Sequence, residues 1–113
     1  LCPYVERVKI VLDCKGLKYQ NVHVSLTDRP AWFFGYHTGA VPVLELPDGT
    51  AISESLIIME MLDDYCQRNS IAVTSRLYPE DPIVRAQRKL YLDKYRDLGL
   101  YLFRGTLSKN EEK

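Results

Sequence analysis

Cysteine is scarce in this chain of 113 residues: Cys2, Cys14 and Cys66 are its three thiols, and no Cys-x-x-Cys pair occurs. An odd count at wide spacing rules against a disulfide scaffold and against a zinc site. A reducing, cytoplasmic compartment is the expectation that follows. No apolar run approaches the ~20 residues that span a bilayer, so stable membrane insertion is not expected. No basic segment leads into an apolar stretch, as a secretory leader would require. Fifteen acidic and fifteen basic residues cancel, and nucleic-acid binding would leave a basic excess. His23 and His37 lie far apart without ligand spacing, so no metal is expected. Internal repeats and low-complexity tracts are missing too. The sequence opens on Leu1-Cys2-Pro3-Tyr4 with no initiator Met and closes on the charged run 108–113. Both ends are expected to be cuts in a longer protein.

What is present suits a packed core. Nearly half the residues are apolar, which argues for a globular domain with room for a second only as a fragment. Pro3 to Lys15 reads as a first helix, with Val5, Val8, Ile10, Val11 and Leu12 as its apolar face. Pro3 suits the first helical position and Gly16 the carboxyl cap. Cys14 is expected in the core. Tyr19 to Val24 alternates as a strand would. Residues 25–40 are irregular, with a short turn over Pro30-Ala31-Trp32-Phe33-Phe34 whose aromatics are expected to serve core or linker packing and not a ligand box. Val41 to Leu46 and Thr50 to Ser53 form a hairpin about Pro47-Asp48-Gly49. A helix follows from Ser55 to Tyr65, with Leu56, Ile57, Met59, Met61 and Leu62 as buried candidates and Ser53 or Glu54 as its cap. Residues 67–80 read as a linker. Asp81-Pro82 then starts a long helix to about Phe103, with Ile83, Ala86, Leu90, Tyr91, Leu98 and Leu102 as its inner face.

Cys2 is the most informative residue. It precedes Pro3 at the amino end of a helix, where unpaired N–H groups and the helix dipole favour negative charge. A thiol there is drawn toward the thiolate, which is the nucleophile. Val5 stands where a dithiol oxidoreductase keeps its second cysteine, so this site works with one thiol and needs an external resolving thiol. The alternative is a small buried residue with no chemistry. At Val41-Pro42-Val43, a cis Val41–Pro42 bond would free the Val41 backbone to pair with an extended peptide; the alternative is an ordinary trans proline, cis being about 5–6% of such bonds. Glu54-Ser55 at a helix start fits a ligand carrying both a carboxylate and an ammonium group; the alternative is a plain cap. Arg29 is a candidate partner for a carboxylate, and Tyr4 flanks the thiol.

Together these segments resemble one family. Leu1-Cys2-Pro3-Tyr4-Val5-Glu6-Arg7-Val8, Lys15-Gly16, Arg29-Pro30-Ala31-Trp32-Phe33-Phe34, Val41-Pro42-Val43-Leu44-Glu45 and Ile52-Ser53-Glu54-Ser55 occur in the order and spacing of the omega class of glutathione transferases. The likeness is close over residues 1–65 and looser through Tyr78-Pro79-Glu80-Asp81-Pro82. It implies an α/β thioredoxin-like, glutathione-binding domain over 1–66, whose first strand would precede Cys2. A linker over 67–80 and the start of an all-α domain over 81–113 would follow.

The resemblance further implies that Cys2 forms a mixed disulfide with glutathione as co-substrate. Val41, before Pro42, would hold the cysteinyl part of the tripeptide by its backbone. Glu54 and Ser55 would hold the γ-glutamyl end, Arg29 would lie near the glycyl carboxylate, and Tyr4 would stand beside the cysteine. The family usually has a lysine where Arg29 stands. The stretch Gly35-Tyr36-His37-Thr38-Gly39 is one residue shorter than the family's and lacks its Asn-Pro. Implied activities are thiol transfer and dehydroascorbate reduction on small oxidised or disulfide substrates, by a homodimer. The alternatives are a non-catalytic relative on the same fold, such as a chloride intracellular channel-like or binding module, and a plain glutaredoxin-like domain. The linker and the Asp81-Pro82 helix argue against the last.

Overall fold

The computed structural model describes residues 2–36, 39–71 and 76–96. Helix α1 spans Pro3–Cys14, a 3-10 turn covers Ala31–Gly35, strands β1 (Val43–Glu45) and β2 (Ala51–Ser53) form a hairpin, and helices α2 (Ser55–Arg68) and α3 (Pro82–Lys94) follow.

Local chemistry sets the ends of α1. Pro3 fills the first position, where the N–H it lacks would have had no helical partner. At the other end Gly16 adopts φ +67°, a conformation open to glycine at little steric penalty. The Gly16 N–H donates to the Asp13 carbonyl at 3.0 Å and the Leu17 N–H to the Leu12 carbonyl at 3.0 Å. That pair of bonds satisfies carbonyls the helix would leave bare, and Leu17 packs beside the core.

The hairpin is antiparallel, pairing Val43 with Ser53, Leu44 with Ile52 and Glu45 with Ala51. Its turn closes through the Gly49 N–H to the Leu46 carbonyl at 2.9 Å, and the Asp48 carboxylate accepts from the Thr50 N–H at 2.9 Å. The expected strand over Tyr19 to Val24 does not form. An extended segment becomes a strand only by pairing, and β1 and β2 pair with each other alone among the described residues.

The core lies between α1 and α2, where Val8, Val11 and Leu12 meet Ile58 and Leu62, with Leu44 and Ile52 of the hairpin against them. Each such side chain contributes about 1.5–3 kcal/mol on burial. The inward arc of α2 is shifted from the expected one: Ser55, Ile58, Leu62, Asp63 and Cys66 are buried, while Ile57 is exposed. α2 also runs three residues past Tyr65. On α1 Ile10 faces solvent, and Cys14, expected in the core, is exposed. In the 3-10 turn Phe33 is buried, while Trp32 and Phe34 stand out in water.

α3 begins as expected. The Asp81 carboxylate accepts from the N–H groups of Ile83 and Val84, both at 2.9 Å, ahead of Pro82. Its expected inner face is exposed instead: Ile83, Leu90 and Tyr91 all face solvent, and no residue of the helix is buried. No apolar surface among the described residues covers that face. Leu98, Leu102 and the expected extension to Phe103 lie outside the described residues. Polar contacts hold α3 to α2. Arg85 pairs with Glu60 at 3.4 Å and Asp64 at 3.1 Å, and Lys89 pairs with Glu60 at 3.0 Å. Among the described residues no helix is long and apolar enough to cross a membrane.

Candidate functional site

Cys2 is the residue that opens α1. Its backbone is extended (φ −108°, ψ 118°), its carbonyl accepts the first helical bond from the Glu6 N–H at 3.1 Å, and its side chain makes no cap hydrogen bond. The N–H groups of Tyr4 and Val5 therefore stand in the unpaired first turn beside a half-buried thiol. Tyr4 is fixed from two sides. The Arg7 guanidinium lies 5.2 Å from its ring centroid, and its hydroxyl donates to the Arg96 carbonyl at 3.2 Å. The end of α3 thus reaches the mouth of α1.

The Val41–Pro42 peptide is cis, immediately ahead of β1. The loop before it is braced twice: Arg29 donates to the Gly39 carbonyl, and the Tyr36 hydroxyl donates to the Glu45 carboxylate. The second contact, followed by burial and by the charge of Glu45, raises the Tyr36 hydroxyl above the usual tyrosine range. Arg29 therefore shapes the approach to Val41, whatever else its fork holds. His37 and Thr38 lie outside the described residues.

Glu54 precedes α2 with φ +73° and ψ 113°, a sparsely populated region for a residue with a Cβ, costing about 1–3 kcal/mol. Its side chain caps none of the helix N–H groups, so the plain-cap reading does not describe it. Exposed Glu54 and buried Ser55 instead present a carboxylate and a helix start at one point.

The topology brings these residues to one end of the molecule. Val43 pairs with Ser53, so Val41-Pro42 and Glu54-Ser55 leave the hairpin at the same edge. Lys15, just past α1, reaches Asp63 in the carboxyl half of α2 at 2.6 Å. The two helices therefore run alongside in the same sense, with Cys2 and Ser55 at their shared amino ends. An open groove of about 470 Å³ between α2 and α3, lined by Ile57, Glu60, Lys89 and Leu90 among others, contains none of these residues. Among the described residues no cluster of His, Cys, Asp or Glu is arranged to hold a metal.

Two residues, one at this end and one at the opposite end of α1 and α2, carried no signal that singled them out. One is Arg96, which meets Tyr4 through a backbone carbonyl that no sequence pattern marks. The other is Asp63, an acid on the buried arc of α2; its spacing from Ile58 and Leu62 was the available clue.

Comparison with known proteins identifies the family. The family model "Glutathione S-transferase, N-terminal domain" matches residues 1–65. The chain is 36% identical over 99 residues to pyrimidodiazepine synthase of Drosophila melanogaster, covering 84% of the chain and 38% of that protein. Glutathione S-transferase omega-1 of Mus musculus is 34% identical over 95 residues, covering 83% and 37%. Omega-1 of Sus scrofa is 33% identical over 111 residues, covering 97% and 44%. Among solved structures, glutathione transferase Omega 3C from Trametes versicolor superposes with a TM-score of 0.66 at 33% identity, over 83% of this chain and 39% of that one. The chain spans less than half the length of these relatives. Their likeness establishes the fold as α/β thioredoxin-like, and with the match over residues 1–65 the chain belongs to the glutathione S-transferase family, through that family's N-terminal domain.

Proposed function

We propose that this chain is the glutathione-binding part of an omega-type thiol transferase in which Cys2 is the nucleophile. The observation that carries the reading is the placement of Cys2: a half-buried thiol without a cap bond, beside the unpaired N–H groups of α1. The sulfur is thus left unengaged by the helix it precedes and available to a disulfide. Glutathione would lie extended past Val41 and Pro42, with its γ-glutamyl end at Glu54 and Ser55 and its glycyl carboxylate toward Arg29.

The chemistry proposed is two thiol–disulfide exchanges. The Cys2 thiolate attacks the glutathionyl sulfur of a mixed-disulfide substrate, and the substrate leaves as its thiolate. A second glutathione thiolate then attacks the glutathionyl sulfur on Cys2, releasing glutathione disulfide and restoring the Cys2 thiolate. Dehydroascorbate reduction would draw on the same couple, two glutathiones giving one glutathione disulfide. A cytoplasmic homodimer is part of the proposal, and sedimentation of the protein checks the second half of it.

Replacing Cys2 with serine in the protein that carries this chain tests the reading. Thiol transfer is expected to disappear while immobilised glutathione still retains the protein. Transfer that survives Cys2→Ser would remove Cys2 as nucleophile. A second measurement uses the other thiols as internal controls. If helix-end electrostatics govern reactivity, iodoacetamide labels Cys2 ahead of Cys14, the exposed thiol, and of buried Cys66.

A further inference from the structure

The Asp63 side chain is completely withdrawn from solvent, yet it is surrounded by donors. Its Oδ1 accepts from Lys15 Nζ at 2.6 Å and from the Leu77 N–H at 3.0 Å. Its Oδ2 accepts from the Tyr78 N–H at 3.0 Å, with Arg76 Nε 3.6 Å away. These donors come from the carboxyl end of α1 and from the segment that leads into α3. One buried carboxylate on α2 therefore ties the other two parts together. Arg76 continues outward to Asp64 at 2.5 Å, and Arg88 of α3 donates to the Leu77 carbonyl at 2.7 Å.

This matters because α3 buries no residue. A helix without a buried face has no jigsaw packing to fix where it lies, and its half-buried to exposed ion pairs with α2 fix less than a buried tie does. Ahead of the helix, Leu77 packs against the core and Tyr78 is buried, and the buried polar tie to their backbone is the Asp63 one. At the opposite end of α1, the far end of α3 touches Tyr4, two residues from Cys2. α1 is thus held to the α3 segment at both ends.

We propose that Asp63 is a positioning residue: by fixing Leu77 and Tyr78 it sets the course of α3, so that the far end of α3 sits against Tyr4 and shapes the space through which a second substrate approaches Cys2. Its effect on turnover rests on the Cys2 reading given above; its effect on the 76–78 segment does not.

The test uses the full protein and two variants. Asp63→Asn keeps the shape but sets an NH2 group against donors. The Lys15→Met/Asp63→Leu pair removes both charges while keeping the volume filled, a replacement that buried ion pairs tolerate. In both, amide exchange at Leu77 and Tyr78 is expected to rise by about tenfold or more, the equivalent of one hydrogen bond to a charged group. The KM for a bulky glutathionylated peptide is expected to rise about fivefold or more, with the rate of Cys2 alkylation by small iodoacetamide unchanged. Amides that stay protected in the double variant overturn the proposal, as does an unchanged KM once they are freed. Should neither variant fold, exchange in the unaltered protein decides. Leu77 and Tyr78 amides as slow as that of Ile58 support the tie, and amides as fast as the exposed loops overturn it. Transfer surviving Cys2→Ser would end the catalytic reading alone and leave the exchange result standing.

Discussion

Helices α2 and α3 are almost equal in length, 14 and 13 residues, and are held by opposite means. α2 sinks Ile58, Leu62 and Cys66 into the core beside α1. α3 sinks nothing and relies on a capping aspartate and a row of basic side chains paired with α2 acids. The contrast shows that a helix can be sharply specified at its start and still depend on polar contacts for its place. It also predicts that the two respond to different insults.

The largest difference is expected from truncating their apolar side chains. Ile58→Ala removes a side chain with 0% exposure and is expected to lower stability by about 2–5 kcal/mol in urea unfolding. Leu90→Ala, at a position 69% exposed, is expected to change it by no more than about 0.5 kcal/mol. Equal losses would mean that a surface outside the described residues covers α3.

Acid should act through α2 next. Burial pushes the Asp63 carboxyl up, but the hydrogen bonds from Lys15, Leu77 and Tyr78 and the Lys15 charge outweigh it and hold the group below the ordinary carboxylate range. The unfolded chain takes up that proton first as pH falls. The stabilisation is therefore complete above the ordinary aspartate value of about 3.9 and is lost as pH falls through and below it. Urea midpoints measured from pH 7 to pH 3 should fall, and Asp63→Asn should flatten that slope. A slope unaffected by the substitution would place the acid sensitivity elsewhere.

A smaller effect, confined to α3, is expected from the cap. Asp81→Ala leaves the Ile83 and Val84 N–H groups without the carboxylate and is expected to cost about 0.5–2 kcal/mol. Faster amide exchange over 83–86 with α2 unchanged would show it. Salt should act last and least. Raising salt to about 1 M shortens the screening length to about 3 Å and weakens pairs worth about 0–1 kcal/mol each. Exchange should quicken along α3 while the Ile58 amide stays protected.

The same contrast governs how much could be read from the sequence. The starts of α1 and α3 and the end of α1 were legible because Pro3, Gly16 and Asp81-Pro82 act within a turn of themselves, whereas the cap expected for α2 does not form. The hairpin was legible because Pro47-Asp48-Gly49 is a local signal. Tyr19 to Val24 was misread because alternation records a willingness to pair, while a strand requires a partner. The inner face assigned to α3 failed for a related reason, since apolar periodicity names a face without naming what covers it. On α2 the apolar residues are nearly continuous from Leu56 to Leu62, so the phase was ambiguous, and Asp63 falls on the buried arc where charge is least expected. Among the candidate site residues, Cys2, Val41-Pro42 and Glu54-Ser55 were marked by local motifs, and topology alone gathered them. The brace from Arg29 to Gly39 spans ten residues and left no mark in the local pattern.

Trp32 is the chain's one tryptophan. It stands 54% exposed on the turn that follows Arg29, edge-on to Phe33 at 6.0 Å and Tyr36 at 6.2 Å. Fluorescence excited at the indole therefore comes from a single spot on the loop leading to Val41. Its emission should be that of a wet indole and open to quenching by iodide. A peptide settling along that loop would announce itself by a blue shift, giving an optical titration that needs no label and no turnover.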